Sequence, residues 1–271
     1  TLGIIETSVV LGLLNLLFLS FVVVQVPYLF GGMELVQNTP DFKLAEYARR
    51  GFGELVAVTA LVLPILLAAH WLLKKEDPLN EKIYKILAGI QIVLLFVIMA
   101  SAAQRLFLLT GNLGYGLTTV RFYPMVVMIW FAIVFIWFGA TVLRGARQYF
   151  AWGALWSALF VLAAVHVVNP DEFIVKTNIR LMNEGRVYDS DYNSRLSDDA
   201  IPVIVESLSS MNHVDQCVSK YELQDRLAET RNETDLRGWN LSRSTARQYL
   251  ESVEGALETA GCPEKAYRYL D

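Results

Sequence analysis

The side chains with chemistry to offer cluster at Glu46, Arg49, Arg50 and Glu54, at the mouth of an apolar run that continues through Leu55–Leu73. Helical spacing places them within one or two turns of each other, so i,i+3 and i,i+4 ion pairs can form. Glu54 opens the apolar run, where desolvating a lone carboxylate costs roughly several kcal/mol unless a partner or water meets it. Counting spans by alternate sides brings Arg105 and Arg121 to the same leaflet. The cluster is then either a structural ion-pair set fixing where a helix meets the interface, or a polar site for binding or transport.

Catalytic patterns are missing. The sequence has no Gly-x-Ser-x-Gly elbow, no His-Glu-x-x-His, no Cys-x-x-Cys and no paired intramembrane carboxylates, so no catalytic residue is expected. Gly111, Gly114 and Gly116 make a compact connection without the Gly-Lys-Ser/Thr ending of a phosphate loop. His70 and His166 fall near opposite ends of their spans and should not share a metal or a haem. No metal and no cofactor is expected, and both histidines read as interfacial residues.

The elements that would position these groups are apolar helices. Over 271 residues the chain is 54% hydrophobic, with a mean hydropathy of +0.39, which places it among membrane proteins. Five spans are predicted, at about 4–30, 52–73, 83–109, 124–143 and 149–168. A short amphipathic helix over Asp41–Arg50 precedes the second span, and Pro64 should kink that span. Pro124 should sit in the first turn of the fourth, where a missing amide proton is harmless. Apolar sequence starts almost at residue 1, a threonine, so further sequence upstream is expected.

Charge divides the chain at the same place. Residues 1–168 carry a net +3 and residues 169–271 a net −7. The expected fold is all-α: a polytopic helical membrane bundle over 1–168, then a small soluble helical domain over 169–271. In that domain helices are predicted at Asp171–Asn183, from Ser197 as N-cap to Ser210, at Val214–Asn232, at Ser242–Thr259 and at Pro263–Leu270. Asp189–Leu196 reads as a turn. The acidic balance argues against nucleic acid as a partner.

Basic residues crowd the turns at 74–85 and 144–147, which the positive-inside rule assigns to the cytoplasm. Everything after Asn169 then lies outside it, including both cysteines, Cys217 and Cys262. In that compartment they could be bridged, closing a loop of about 45 residues worth about 4 kcal/mol. A pair of buried free thiols is the alternative.

Several ordered blocks carry a family resemblance: Tyr28-Leu-Phe-Gly-Gly32, Glu46-Tyr-Ala-Arg-Arg-Gly-Phe-Gly-Glu-Leu55, Tyr115-Gly-Leu-Thr118 with Arg121, Asn169-Pro-Asp171, Asp189-Ser-Asp-Tyr192 and Leu196-Ser-Asp-Asp-Ala-Ile-Pro202. The sequence resembles the bacterial membrane family known only as domain of unknown function 4173, related to 4153. The resemblance implies a multi-pass protein of the bacterial cell membrane and no assigned activity. Two functions follow from the residues. One is a non-catalytic accessory or scaffold subunit, partnered by the bilayer and other membrane-protein subunits, with the outer helices as a docking domain. The other is a transporter or channel component with its polar site at Glu54, Arg105 and Arg121. Because spans two, four and five hold almost no ionisable residue at mid-membrane, the first is favoured.

Overall fold

In the computed structural model residues 3–30, 44–73, 78–107, 110, 116–232, 240–257 and 261–262 are described, with backbone alone at 25–30, 44–52, 54, 105 and 232. The protein is all-helical, with no strand among the described residues. Five long helices come first: α1 (Ile4–Phe30), α2 (Leu44–Leu72), α3 (Pro78–Phe107), α4 (Thr119–Thr141) and α5 (Phe150–Val168). Each contains a stretch long and apolar enough to cross a membrane. Shorter helices follow: α6 (Pro170–Asn183), α7 (Ser190–Ser194), α8 (Ile201–Ser207), α9 (His213–Asn232) and α10 (Leu241–Ser252).

The chain forms two compact units. The first comprises residues 1–109 and 123–164, and the second residues 110–122 and 165–271. The second unit thus takes in the glycine-containing connection before α4 as well as everything after α5. Each has its own apolar core. In the first, Leu11 and Phe18 of α1, Leu66 of α2, Leu95 of α3 and Phe135 and Phe138 of α4 are buried together. In the second, Leu117 packs with Ile174 and Val175 of α6, Ile201 and Ile204 of α8, Leu223 of α9 and Leu250 of α10.

Helix ends in the second unit follow their polar residues. Asn169 takes a left-handed backbone (φ 53°), and Pro170 starts α6 at once with Asp171 and Glu172 in its first turn. The Asp189 carboxylate accepts the Tyr192 amide and starts a helix, α7, where a turn was expected. Asn212 accepts the Val214 and Asp215 amides ahead of α9, and Asn240 those of Ser242 and Arg243 at α10. Ser197 makes no capping bond; its own amide donates to Asp171 Oδ2 (3.1 Å) instead. The helix expected over Pro263–Leu270 lies outside the described residues.

Other sequence expectations are corrected in the membrane part. From Leu44 on, the amphipathic segment and the second span form one continuous helix, α2, because Gly51 and Gly53 each cost a helix only about 1 kcal/mol. Helix α3 starts earlier than expected, with Pro78 at its first position. Helix α4 begins at Thr119, which leaves Pro124 inside it and removes one backbone bond. His70, near the end of α2, is packed within the protein: it is 2% exposed, with its ring 5.3 Å from that of Tyr84, whose hydroxyl donates to the Leu66 carbonyl (2.8 Å).

The α4–α5 pair is held by tryptophans. Trp137 Nε1 donates to the Tyr149 carbonyl (3.3 Å), and Trp130 Nε1 to Ser157 Oγ (3.2 Å). Gly153 gives the Trp137 indole its room, since a Cβ there would overlap the ring. Gly153→Leu is therefore expected to destabilise the detergent-solubilised protein by about 1–3 kcal/mol. Adding Trp137→Ala should recover part of the loss in thermal unfolding, and strict additivity of the two would contradict the packing.

Candidate functional site

The short strap Gly116–Thr119 crosses the second unit with no helical partner for its first backbone groups, and side chains supply what it lacks. Gly116 has φ 68°, a conformation glycine adopts without strain. The Arg121 guanidinium reaches back to the Gly116 carbonyl. Asn178 of α6, 6% exposed, reads both sides of the next residue: its Oδ1 accepts the Leu117 amide (2.6 Å) and its Nδ2 donates to the Leu117 carbonyl (2.9 Å). Tyr192 of α7 accepts the Thr119 amide on its hydroxyl (2.7 Å), satisfying a first-turn donor of α4.

These clamps are themselves held. Asn178 Nδ2 also donates to Asn193 Oδ1 (2.8 Å), and Asn193 Nδ2 to the Asp189 carbonyl (2.6 Å). Ser190 Oγ donates to Asp215 Oδ1 (3.0 Å), tying α7 to α9. Tyr188 is buried beside this network, and its hydroxyl finds no hydrogen-bond partner. Burial, with Asp215 and then Asp189 adding to it, pushes its ionisation well above the ordinary phenol range.

Around the network runs a chain of alternating charges. Arg195 meets Asp191 (2.9 Å) and Glu222 (3.8 Å); Glu222 meets Arg226 (3.7 Å); Arg226 meets Asp198 (3.3 Å), which also takes Arg243 (3.4 Å). Arg226 donates in addition to the Leu196 carbonyl (2.8 Å). Asp198 and Arg226 are each 20% exposed, so the network is less screened than a surface pair. Cys217 of α9 is bridged to Cys262, with Cα atoms 5.7 Å apart and a sequence separation of 45. Loop closure of that length is worth about 4 kcal/mol in the chain-entropy model.

Ser190 Oγ donates its hydrogen bond to a carboxylate already engaged by Asn212, and no group of three metal-ligating side chains occurs among the described residues. Of the polar cluster expected from sequence, Arg121 is placed in the first turn of α4, with its guanidinium at the Gly116 carbonyl of the strap. The side chains of Glu46, Arg49, Arg50, Glu54 and Arg105 lie outside those described. Asn178 was missed, although a signal existed. It falls on the same face as Ile174, Val175 and Leu181, so an amide sits inside an apolar helical stripe.

The chain belongs to the family of the domain of unknown function DUF4153, whose model matches residues 1–207. Neither a curated protein nor a solved structure matches it. The matched stretch ends with α8, so it contains the strap, Asn178 and Tyr192, whereas the disulfide and both arginine partners of Asp198 follow it.

Asn178→Ala orphans three buried groups at about 1–3 kcal/mol each, so a loss of about 3–5 kcal/mol is expected in denaturant unfolding after partial relaxation. Gly116→Ala should act in the same direction but less, since its Cβ would sit 2.9 Å from Asn178 Oδ1 at a positive φ. An unchanged midpoint for Asn178→Ala would remove the clamp from the account. Tyr188 carries a linked pH dependence. Its ionisation is raised in the folded state, so its contribution is complete below the unfolded pKa of about 10 and is lost as pH rises beyond it. Tyr188→Phe should leave stability at pH 7 nearly unchanged and flatten the decline above about pH 10; a decline identical to the parent's would contradict this.

Proposed function

We propose that this DUF4153 chain is a non-catalytic accessory or scaffold subunit of a membrane complex, with its C-terminal helical unit acting as an extracytoplasmic docking domain. The reading is carried by the neutrality of the described membrane interior. Among the described residues, the buried polar side chains of the spans are hydroxyls and amides (Thr7, Asn15, Thr59, Gln91, Ser101, Thr141) with one imidazole, His70. A coupled ion or proton path needs carboxylates or bases in succession through the bilayer. Amides and hydroxyls instead set helix register, as Asn15 does in donating to the Leu87 carbonyl (3.0 Å).

Sidedness rests on the basic turns and on the disulfide, which favours an oxidising compartment. Arg121 is engaged by the Gly116 carbonyl, which weighs against the transport reading built on Glu54, Arg105 and Arg121. The blocks around Asn169, Asp189 and Leu196 also support kinship with domain of unknown function 4173.

Crosslinking followed by affinity purification from the native membrane should recover a membrane-protein partner in stoichiometric amount. A chain recovered alone, which in liposomes conducts a flux abolished by Glu54→Gln, would replace the scaffold reading with transport. In intact cells a cysteine at Glu229 should react with an impermeant maleimide and one at Lys82 should not. The reverse pattern would invert the topology.

A further inference from the structure

Helix α6 begins where two spans end. Helix α5 stops at Val168, and Asn169 alone separates it from Pro170. Phe173, in the first turn of α6, has its ring 5.9 Å from that of Phe122, the fourth residue of α4. The stretch of α4 apolar enough for the bilayer starts at Thr119, and that of α5 ends at Val168. With α4 and α5 crossing a bilayer over these stretches, the first turn of α6 falls at its edge.

The two faces of α6 differ in kind. Ile174, Val175, Asn178 and Leu181 are buried in the second unit. Opposite them Phe173 (44% exposed), Lys176 and Arg180 share one exposed stripe. Lys176 is paired with Glu172, which raises its pKa, and Glu206 adds to the effect. Arg180 makes no ion pair among the described residues, although residues 169–271 carry a net charge of −7. At about 1.5 Å per residue, Lys176 and Arg180 stand about 4.5 and 10.5 Å beyond Phe173 along the helix. The polar layer of one leaflet is about 5–7 Å deep, and long basic side chains extend the reach. An aromatic ring followed by cations on one face is the pattern of a helix seated at a lipid surface.

We propose that α6 is an interfacial helix whose exposed stripe, Phe173, Lys176 and Arg180, binds the headgroups of anionic phospholipids in the leaflet where α4 begins and α5 ends. The aromatic ring sets the depth. Arg180 supplies a charge without an ion pair among the described residues, and Lys176 shares its own with Glu172.

The full chain is reconstituted in phosphatidylcholine nanodiscs containing phosphatidylglycerol and spin-labelled at Phe173→Cys or, as a control, at Arg247→Cys on α10. The label at 173 should be relaxed more by oxygen than by an aqueous nickel chelate, and the label at 247 the reverse. Affinity for phosphatidylglycerol, read by native mass spectrometry of the full chain, should fall about five-fold in Arg180→Gln and stay unchanged in Arg247→Gln. Equal nickel exposure at 173 and 247 would overturn the proposal, because α6 would then stand in water. An unchanged affinity in Arg180→Gln would overturn it as well, since no anionic headgroup would be bound there.

Discussion

A buried segment of backbone must find partners for every amide and carbonyl, and the strap Gly116–Thr119 meets that demand with side chains from elsewhere in the second unit. Asn178 is suited to the task because one planar amide presents an acceptor and a donor together, matching the amide and carbonyl of Leu117. Arg121 satisfies the Gly116 carbonyl before it and Tyr192 the Thr119 amide beyond it. Neighbouring polar contacts orient Asn178 and Tyr192 in turn. Asn193 fixes the Asn178 amide, Asp189 starts the helix that carries Tyr192, and Asp215 holds that helix through Ser190. Arg121, which the sequence offered as part of a polar cluster, is thus engaged with backbone.

The membrane unit meets the same demand differently. Helices satisfy their own backbones, so hydrogen-bonding side chains are needed only to set register. Asn15 meets the Leu87 carbonyl, Tyr84 that of Leu66, and Trp130 and Trp137 tie α4 to α5. Glycine matters there for space: Gly153 admits an indole that any side chain would displace. At Gly116 it matters for backbone conformation as well.

The acidic second unit, finally, balances much of its charge internally. Asp198 lies between Arg226 and Arg243, and Glu222 between Arg195 and Arg226, so carboxylates that could have held a cation are already countered by guanidinium groups. The disulfide joins α9 to a point 45 residues away in sequence and limits the unfolded chain more than it shapes the folded one.

Sequence alone determined the all-helical class, the five apolar helices and most of the later ones, because hydrophobic length and period are local properties that each segment carries by itself. It also marked the blocks at 115–121, 169–171, 189–192 and 196–202 without giving a reason for them. The tertiary structure supplied that reason. Asn178 meets Leu117 across 61 residues and Tyr192 meets Thr119 across 73, distances over which no local pattern reports pairing. Helix boundaries shifted for a local cause. Pro124 could be carried inside α4 and Gly51 inside α2 because neighbouring turns outweighed one missing bond or one glycine. His70 became a packed core residue because Tyr84 of α3 stands beside it. What a residue prefers is written in the chain; which partner satisfies it is decided only when distant segments share a core.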